Sequence, residues 1–235
     1  REPNLNGRLE IRDGSFATQD LPLGLSRANG VVIFSRRRAT IQKLTAEAGG
    51  GEVNLSGDAD LGAGLVTYRL RAEARQVRLR YPRGLSSLLD GTLTLTGSSQ
   101  RSRLEGRVQI THAGTRAQVD LATILAALKE APRTPSGGGW LPGTQLNIAI
   151  VSAPDIRFDT SIARNLQADV NLRLRGTMLN PALLGRINIT QGELEFQATR
   201  YMLNRGDITF SNPFRIEPLL NLDLETRVGG YDILL

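Results

Sequence analysis

Cysteine is absent from the 235 residues, which removes disulfide frameworks and thiolate metal sites together. Histidine occurs once, at His112, beside a strand end and with no serine or carboxylate pattern around it, so a nucleophilic triad is excluded and a loop position is expected. Aromatic residues are only 5% of the chain, too few for the stacking platforms of a single-strand nucleic-acid reader. No apolar run of about 18 residues is present, so nothing reads as a membrane-spanning helix. The chain opens at Arg1 without a secretion leader and ends at Leu234-Leu235 in what reads as mid-strand, so a piece of a longer protein is expected.

Lysine is nearly missing. Of 29 basic residues only Lys43 and Lys129 are lysines, and the formal charge is +6. That balance has two readings, anionic partners or arginine on solvated strand faces. The arginines are spread along the chain, apart from Arg36-Arg37-Arg38, and Phe158, Phe196 and Phe210 fall at apolar positions, so no nucleic-acid partner is expected. Asp58 with Asp60 and Glu193 with Glu195 are two apart and share a strand face, whereas acid/base chemistry needs carboxylates converging in a pocket. The glycines at 49–51 and 62–64 lack the lysine and helix of a phosphate cradle. Neither an enzyme, a cofactor nor a metal site is expected.

What the sequence does contain is a repeat. A stretch of some thirty-five residues recurs at an offset of 79: Val77-Arg78-Leu79 as Ile156-Arg157-Phe158, Leu93 to Gly97 as Leu172 to Gly176, and Leu104-Glu105-Gly106-Arg107-Val108 as Leu183-Leu184-Gly185-Arg186-Ile187. The matched positions are apolar residues two apart, which is the period of a strand. Tyr68, Leu70, Ala72 and Ala74 alternate with Arg69, Arg71, Glu73 and Arg75, giving one apolar and one charged face. Turn signals punctuate these runs at Asp13-Gly14, Asn29-Gly30, Gly49-Gly50-Gly51, Asp90-Gly91, Gln191-Gly192, Arg205-Gly206-Asp207 and Asn212-Pro213. An antiparallel meander is predicted.

One segment breaks the pattern. Leu121, Ile124, Leu125 and Leu128 keep the spacing of an amphipathic helix over residues 119–130, closed by Pro132, Pro135 and the glycines before Trp140. Such a helix either covers apolar sheet surface or plugs an apolar groove. The organisation expected is a first β segment over 1–111, a helix and Pro/Gly-rich insertion over 112–145, and a second β segment over 146–235.

The last third carries the most specific pattern: Gly192, Leu194 and Phe196, then Tyr201 and Leu203, the run Gly206-Asp207-Ile208-Thr209-Phe210-Ser211-Asn212-Pro213, Ile216-Glu217-Pro218, Leu222 to Thr226, and Tyr231-Asp232-Ile233. It resembles the C-terminal domain of the TamB family, the translocation and assembly module proteins of the AsmA-like superfamily found in bacteria with two membranes. The upstream segment, with Gly14-Ser15-Phe16, Leu21-Pro22-Leu23, Asn29-Gly30 and Val77 through Asp90-Gly91, is similar to the region that precedes it in that family. The resemblance implies an all-β fold, an elongated antiparallel repeat sheet folded into an open trough (a β-taco) with an apolar interior. It also implies the periplasmic portion of an inner-membrane-anchored protein of a diderm bacterium, working in lipid transport between the membranes and in outer-membrane protein assembly. The implied partners are phospholipid acyl chains, an outer-membrane barrel of the BamA or TamA type, and the inner membrane. The N-terminal anchor of the family and the segment beyond Tyr231 that would reach the barrel are not in the sequence.

Assigned by face, the groove candidates are Leu70, Val77, Leu79, Leu93, Leu95, Val108, Ile110, Ile156, Phe158, Val170, Leu172, Leu174, Ile187, Ile189, Leu194, Phe196, Ile208 and Phe210, with Leu121, Ile124, Leu125 and Leu128 as a possible plug. The alternatives are an ordinary sheet core sealed by the helix, and a scaffold that pairs strands of outer-membrane proteins.

Overall fold

The computed structural model describes residues 5–17, 23–62, 64–81, 85–115, 143–154, 156–159, 163–196, 199–228 and 231–234. These residues form strands only, and the helix expected over 119–130 lies outside them. The strands are β1 (Leu5–Phe16), β2 (Leu25–Arg36), β3 (Arg38–Ala48), β4 (Gly51–Leu61), β5 (Val66–Leu79), β6 (Leu85–Ser98), β7 (Ser102–Thr115), β8 (Gln145–Ser152), β9 (Arg157–Asp159), β10 (Ala163–Gly176), β11 (Pro181–Phe196), β12 (Thr199–Phe210), β13 (Pro218–Val228) and β14 (Tyr231–Leu234). They make one sheet in chain order, with β9 set beside β7 and β10. β1 and β14 are its two ends and do not pair with each other, so the sheet is an open trough and not a barrel. Close backbone approach is confined essentially to ladder neighbours.

The 79-residue offset is visible atom by atom. It carries β6 onto β10 and β7 onto β11. The register slip between Leu88 and Leu89 recurs between Gln167 and Ala168. Thr111 donates its hydroxyl to the Leu88 carbonyl, and Thr190 donates its own to that of Gln167. Arg78 opposes Leu88 as Arg157 opposes Gln167, so β9 stands where the end of β5 stands, and Val77 and Ile156 are both 4% exposed.

Each repeat is therefore a three-stranded meander, and an odd number of strands has a consequence. When the second unit follows in the same orientation, its first strand runs parallel to the last strand of the first. β7 and β8 do pair in parallel, Leu104 beside Leu146 and Val108 beside Ile150, a departure from the expected all-antiparallel meander. Parallel neighbours cannot be joined by a tight hairpin and need a crossover of a dozen or more residues, and residues 116–144 are the chain between them. Where it re-enters the sheet, Thr144 is almost wholly buried, its hydroxyl 2.6 Å from that of Ser102 and its carbonyl accepting the Met178 N–H.

Most of the expected turns are not turns. Asp13-Gly14, Asn29-Gly30, Asp90-Gly91, Gln191-Gly192 and Arg205-Gly206-Asp207 all lie inside strands, and His112, expected in a loop, is exposed within β7 opposite Leu88. Gly49-Gly50 is a true two-residue hairpin, both at positive φ, as right-twisted strands demand. The mid-strand glycines serve close approach instead. At Gly106 (φ +150) and its equivalent Gly185 (φ +119), a Cβ would fall well inside contact distance of the Thr92 and Asn171 carbonyl oxygens on the neighbouring strand.

Gly106→Ala and Gly185→Ala combine backbone strain with a clash, so each is expected to cost about 2 kcal/mol or more. Gly143→Ala, which meets open space, is expected to stay within about 0.5 kcal/mol of the parent. Thermal melts of the three variants check this.

Candidate functional site

Residues opposite one another in a ladder share a face, so the register states what the inner surface is made of. One row runs Ala46, Val53, Ala74, Gly91, Val108, Ile150, Leu172, Gly185, Phe210, Pro218, through ten strands. The row beside it runs Leu44, Leu55, Ala72, Leu93, Gly106, Ile148, Leu174, Leu183. On the other side Val77, Leu89, Ile110 and Ser152 lead towards Val170, Ile187, Ile208 and Leu220. None of these positions carries a charge. Ser152 uses its hydroxyl to accept the Val170 N–H, at 3.0 Å. At about 4.8 Å per strand the first row is some 43 Å long.

The charged residues take the other face. Asp58 stands opposite Arg69, and Asp60 reaches Arg37 at 3.5 Å. Glu193 lies 3.8 Å from Arg200 and Glu195 3.9 Å from Arg164, while Arg27 pairs with Glu47. Both carboxylate pairs singled out in the sequence thus face arginines across the strands, and each ion pair that forms contributes about 0–1 kcal/mol. No group of three metal-ligating side chains occurs among the described residues.

All the groove candidates whose side chains are described lie on the apolar face. Val77, Ile156, Val170, Leu172, Ile189 and Phe210 are buried, while Leu70, Leu79, Leu93, Leu95, Val108, Ile110, Leu174, Ile187, Leu194 and Ile208 are half-buried. For Phe158 and Phe196 only the ladder positions are described, opposite Leu166 and Thr199. Leu121, Ile124, Leu125 and Leu128 are outside the described residues. The surface is not uniform along its length. Over β10 to β12 it is more fully packed: Phe210 and Leu172 both oppose Gly185 in the ladder, and their side chains form a buried cluster with Val170, against which Ile216 packs. A second cluster of Ala168, Ile189 and Leu203 continues it. Over β4 to β6 the apolar rows stay half-open to solvent, Val77 excepted.

The family model for the TamB C-terminal domain matches residues 42–232. The chain belongs to that family. It is a family of periplasm-spanning, membrane-anchored, non-enzymatic modules of outer-membrane assembly, and a TamB-like role in that process is what membership supports. Among the described residues no helix is long and apolar enough to cross a membrane. No solved structure matches the chain.

Several lining residues escaped the sequence reading. Among the described residues Leu203 is the most deeply buried leucine, yet it sits at odd spacing from Ile208 because the β12–β13 register slips between Leu203 and Arg205. Leu44, Leu55, Leu104, Ile148 and Ile150 are also inward, and Leu220, Leu222 and Leu224 alternate so plainly that periodicity alone marks them.

The difference between closed and open stretches is measurable. Leu203→Ala empties a packed site and is expected to cost about 2–4 kcal/mol. Leu70→Ala removes a side chain already half in water, and is expected to cost on the order of 1 kcal/mol. Equal losses in denaturant titrations would mean that Leu70 is ordinary core.

Proposed function

We propose that the apolar inner face carries phospholipid acyl chains along the sheet between the inner and outer membranes, and so supports outer-membrane biogenesis. The observation that supports this most is the uncharged row through ten strands, Ala46 to Pro218, left half-open over β4 to β6. Exposing an acyl chain of about fifteen methylenes to water costs on the order of 12 kcal/mol, at about 0.8 kcal/mol per group. A face of leucine, valine and isoleucine removes most of that cost while the headgroup stays wet. The row is nearly three times as long as half a bilayer core of about 30 Å, so a chain is supported along the path and not at one point. In this reading the protein is not an enzyme, it is anchored in the inner membrane through segments beyond this sequence, and it meets an outer-membrane barrel at the far end.

A second reading has its own observation. β1 is a twelve-residue strand with one unpaired edge and with Leu5, Leu9 and Phe16 exposed, which suits the acceptance of an incoming strand of an outer-membrane protein by β-augmentation.

Photocrosslinking in cells separates the two. Probes at Leu70 and Leu174, which point inward, are expected to capture lipid, and probes at Arg69 and Arg173 on the outward side are not. Protein adducts at β1 with no lipid at either inward position would replace the conduit by the scaffold.

A further inference from the structure

The excess positive charge has an address. Residues 1–66 hold eight basic and eight acidic groups, residues 145–235 nine and ten, and residues 67–144 twelve and five. Among the described residues of β5 to β7 and their connections, eight arginines face three carboxylates. Alternation turns Arg69, Arg71, Arg103 and Arg107 outward, away from the apolar rows.

In the middle of this basic face the ladder opens. β5 and β6 slip in register between Ala74 and Val77, and Gln76 takes φ 53° and donates its N–H to Asp90 Oδ1 at 2.7 Å. Beside this bulge lies a depression of about 510 Å³ that includes Arg75, Gln76, Thr92, Arg107 and Gln109 in its lining. Its two carboxylates are engaged: Glu73 accepts from Arg71 Nε at 2.9 Å, and Asp90 holds the bulge. Among the described residues neither Arg75, which stands opposite Glu52 on β4, nor Arg107 makes an ion pair within 4 Å. They rise from β5 and β7 on either side of β6 and two residues out of line, Arg107 being level with Glu73, so their Cα atoms stand about 12 Å apart, a span that two long side chains can close around one small group.

We propose that this outward depression is a binding site for a phosphate-bearing ligand. Arg75 and Arg107 are its two forks, and Gln76, Thr92 and Gln109 supply neutral donors. A carboxylate is satisfied by one guanidinium, whereas a tetrahedral phosphate presents oxygens to two at once. The surrounding arginines raise the local potential and draw the anion in. The site is on the opposite side of the sheet from the apolar rows and does not depend on what they carry.

Titration of the protein with inorganic pyrophosphate tests this, with citrate as the polycarboxylate control. Binding is expected for pyrophosphate, at least tenfold weaker for citrate, and at least tenfold weaker in the Arg75→Gln/Arg107→Gln double variant. Arg186→Gln/Arg205→Gln, which removes the same charge from exposed positions elsewhere, is expected to bind as the parent does. Flotation with phosphatidylglycerol vesicles against phosphatidylcholine vesicles assigns the source: loss of flotation in the first variant alone identifies a lipid headgroup, and pyrophosphate binding without flotation identifies a soluble phosphorylated compound. Thermal melts check that both variants fold. Equal weakening in the two variants, equal affinity for citrate, or no binding to either probe would each overturn the proposal.

Discussion

When all described strands belong to one sheet, one requirement governs the rest: each strand has to turn its apolar side chains to the same side. Among the described residues the charged side chains take one face and the apolar rows the other. A slip of one residue would send a whole strand's apolar set into water. The structure meets the requirement even across irregularities. Ala74 and Val77 are three apart in sequence, yet both face inward, because the bulge at Arg75-Gln76 absorbs the extra residue on the outward side. The bulge at Asn165 and the slip between Leu203 and Arg205 fall beside equally unbroken apolar rows.

The same requirement shapes how repeats can be added. A three-stranded unit placed beside its copy keeps the apolar faces aligned, at the cost of one parallel contact and a long connection. A two-stranded or four-stranded unit would have avoided the crossover. The price appears at β7 and β8, where Ser102 and Thr144 bury a hydroxyl pair. A buried hydroxyl is tolerated only when hydrogen-bonded, and this pair, with the Met178 N–H on the Thr144 carbonyl, pins the returning chain to the register that Leu104 and Leu146 need.

The all-β character, the repeat and nearly every inward residue of β5 to β7 and β10 to β12 were legible because alternation is a direct imprint of a one-sided sheet. The sites of bulges were not, since an extra residue leaves no compositional mark; Leu203 was lost for that reason. Glycine misled in the opposite direction. Asp90-Gly91 and Gln191-Gly192 have turn chemistry, but in this sheet an inward glycine makes room for a neighbour, as Gly192 does for Leu166, whose side chain would clash with an added Cβ. The same residue type ends a strand in one setting and lets strands approach in another, and only the ladder distinguishes them. The parallel junction was hidden because strand direction is a property of the count of strands between two points, not of any residue.

Burial then divides the apolar surface in a way composition cannot show. Among the described residues only fourteen apolar side chains are buried, and ten of them lie on β8, on β10 to β12 or just before β9. That stretch supplies its own core, with Phe210, Leu172 and Val170 packed together. Among the described residues β4 to β6 show no such cluster, and Leu55, Leu70, Leu93 and Leu95 there are half-buried. Half-exposed leucines in adjacent strands form a contiguous apolar patch, and a large patch of that kind on a water-surrounded protein marks a place where something else binds. In the proposed conduit the closely packed stretch contributes stability and the less covered stretch receives the acyl chain, so one continuous face would serve two tasks, separated only by how completely neighbouring side chains cover it.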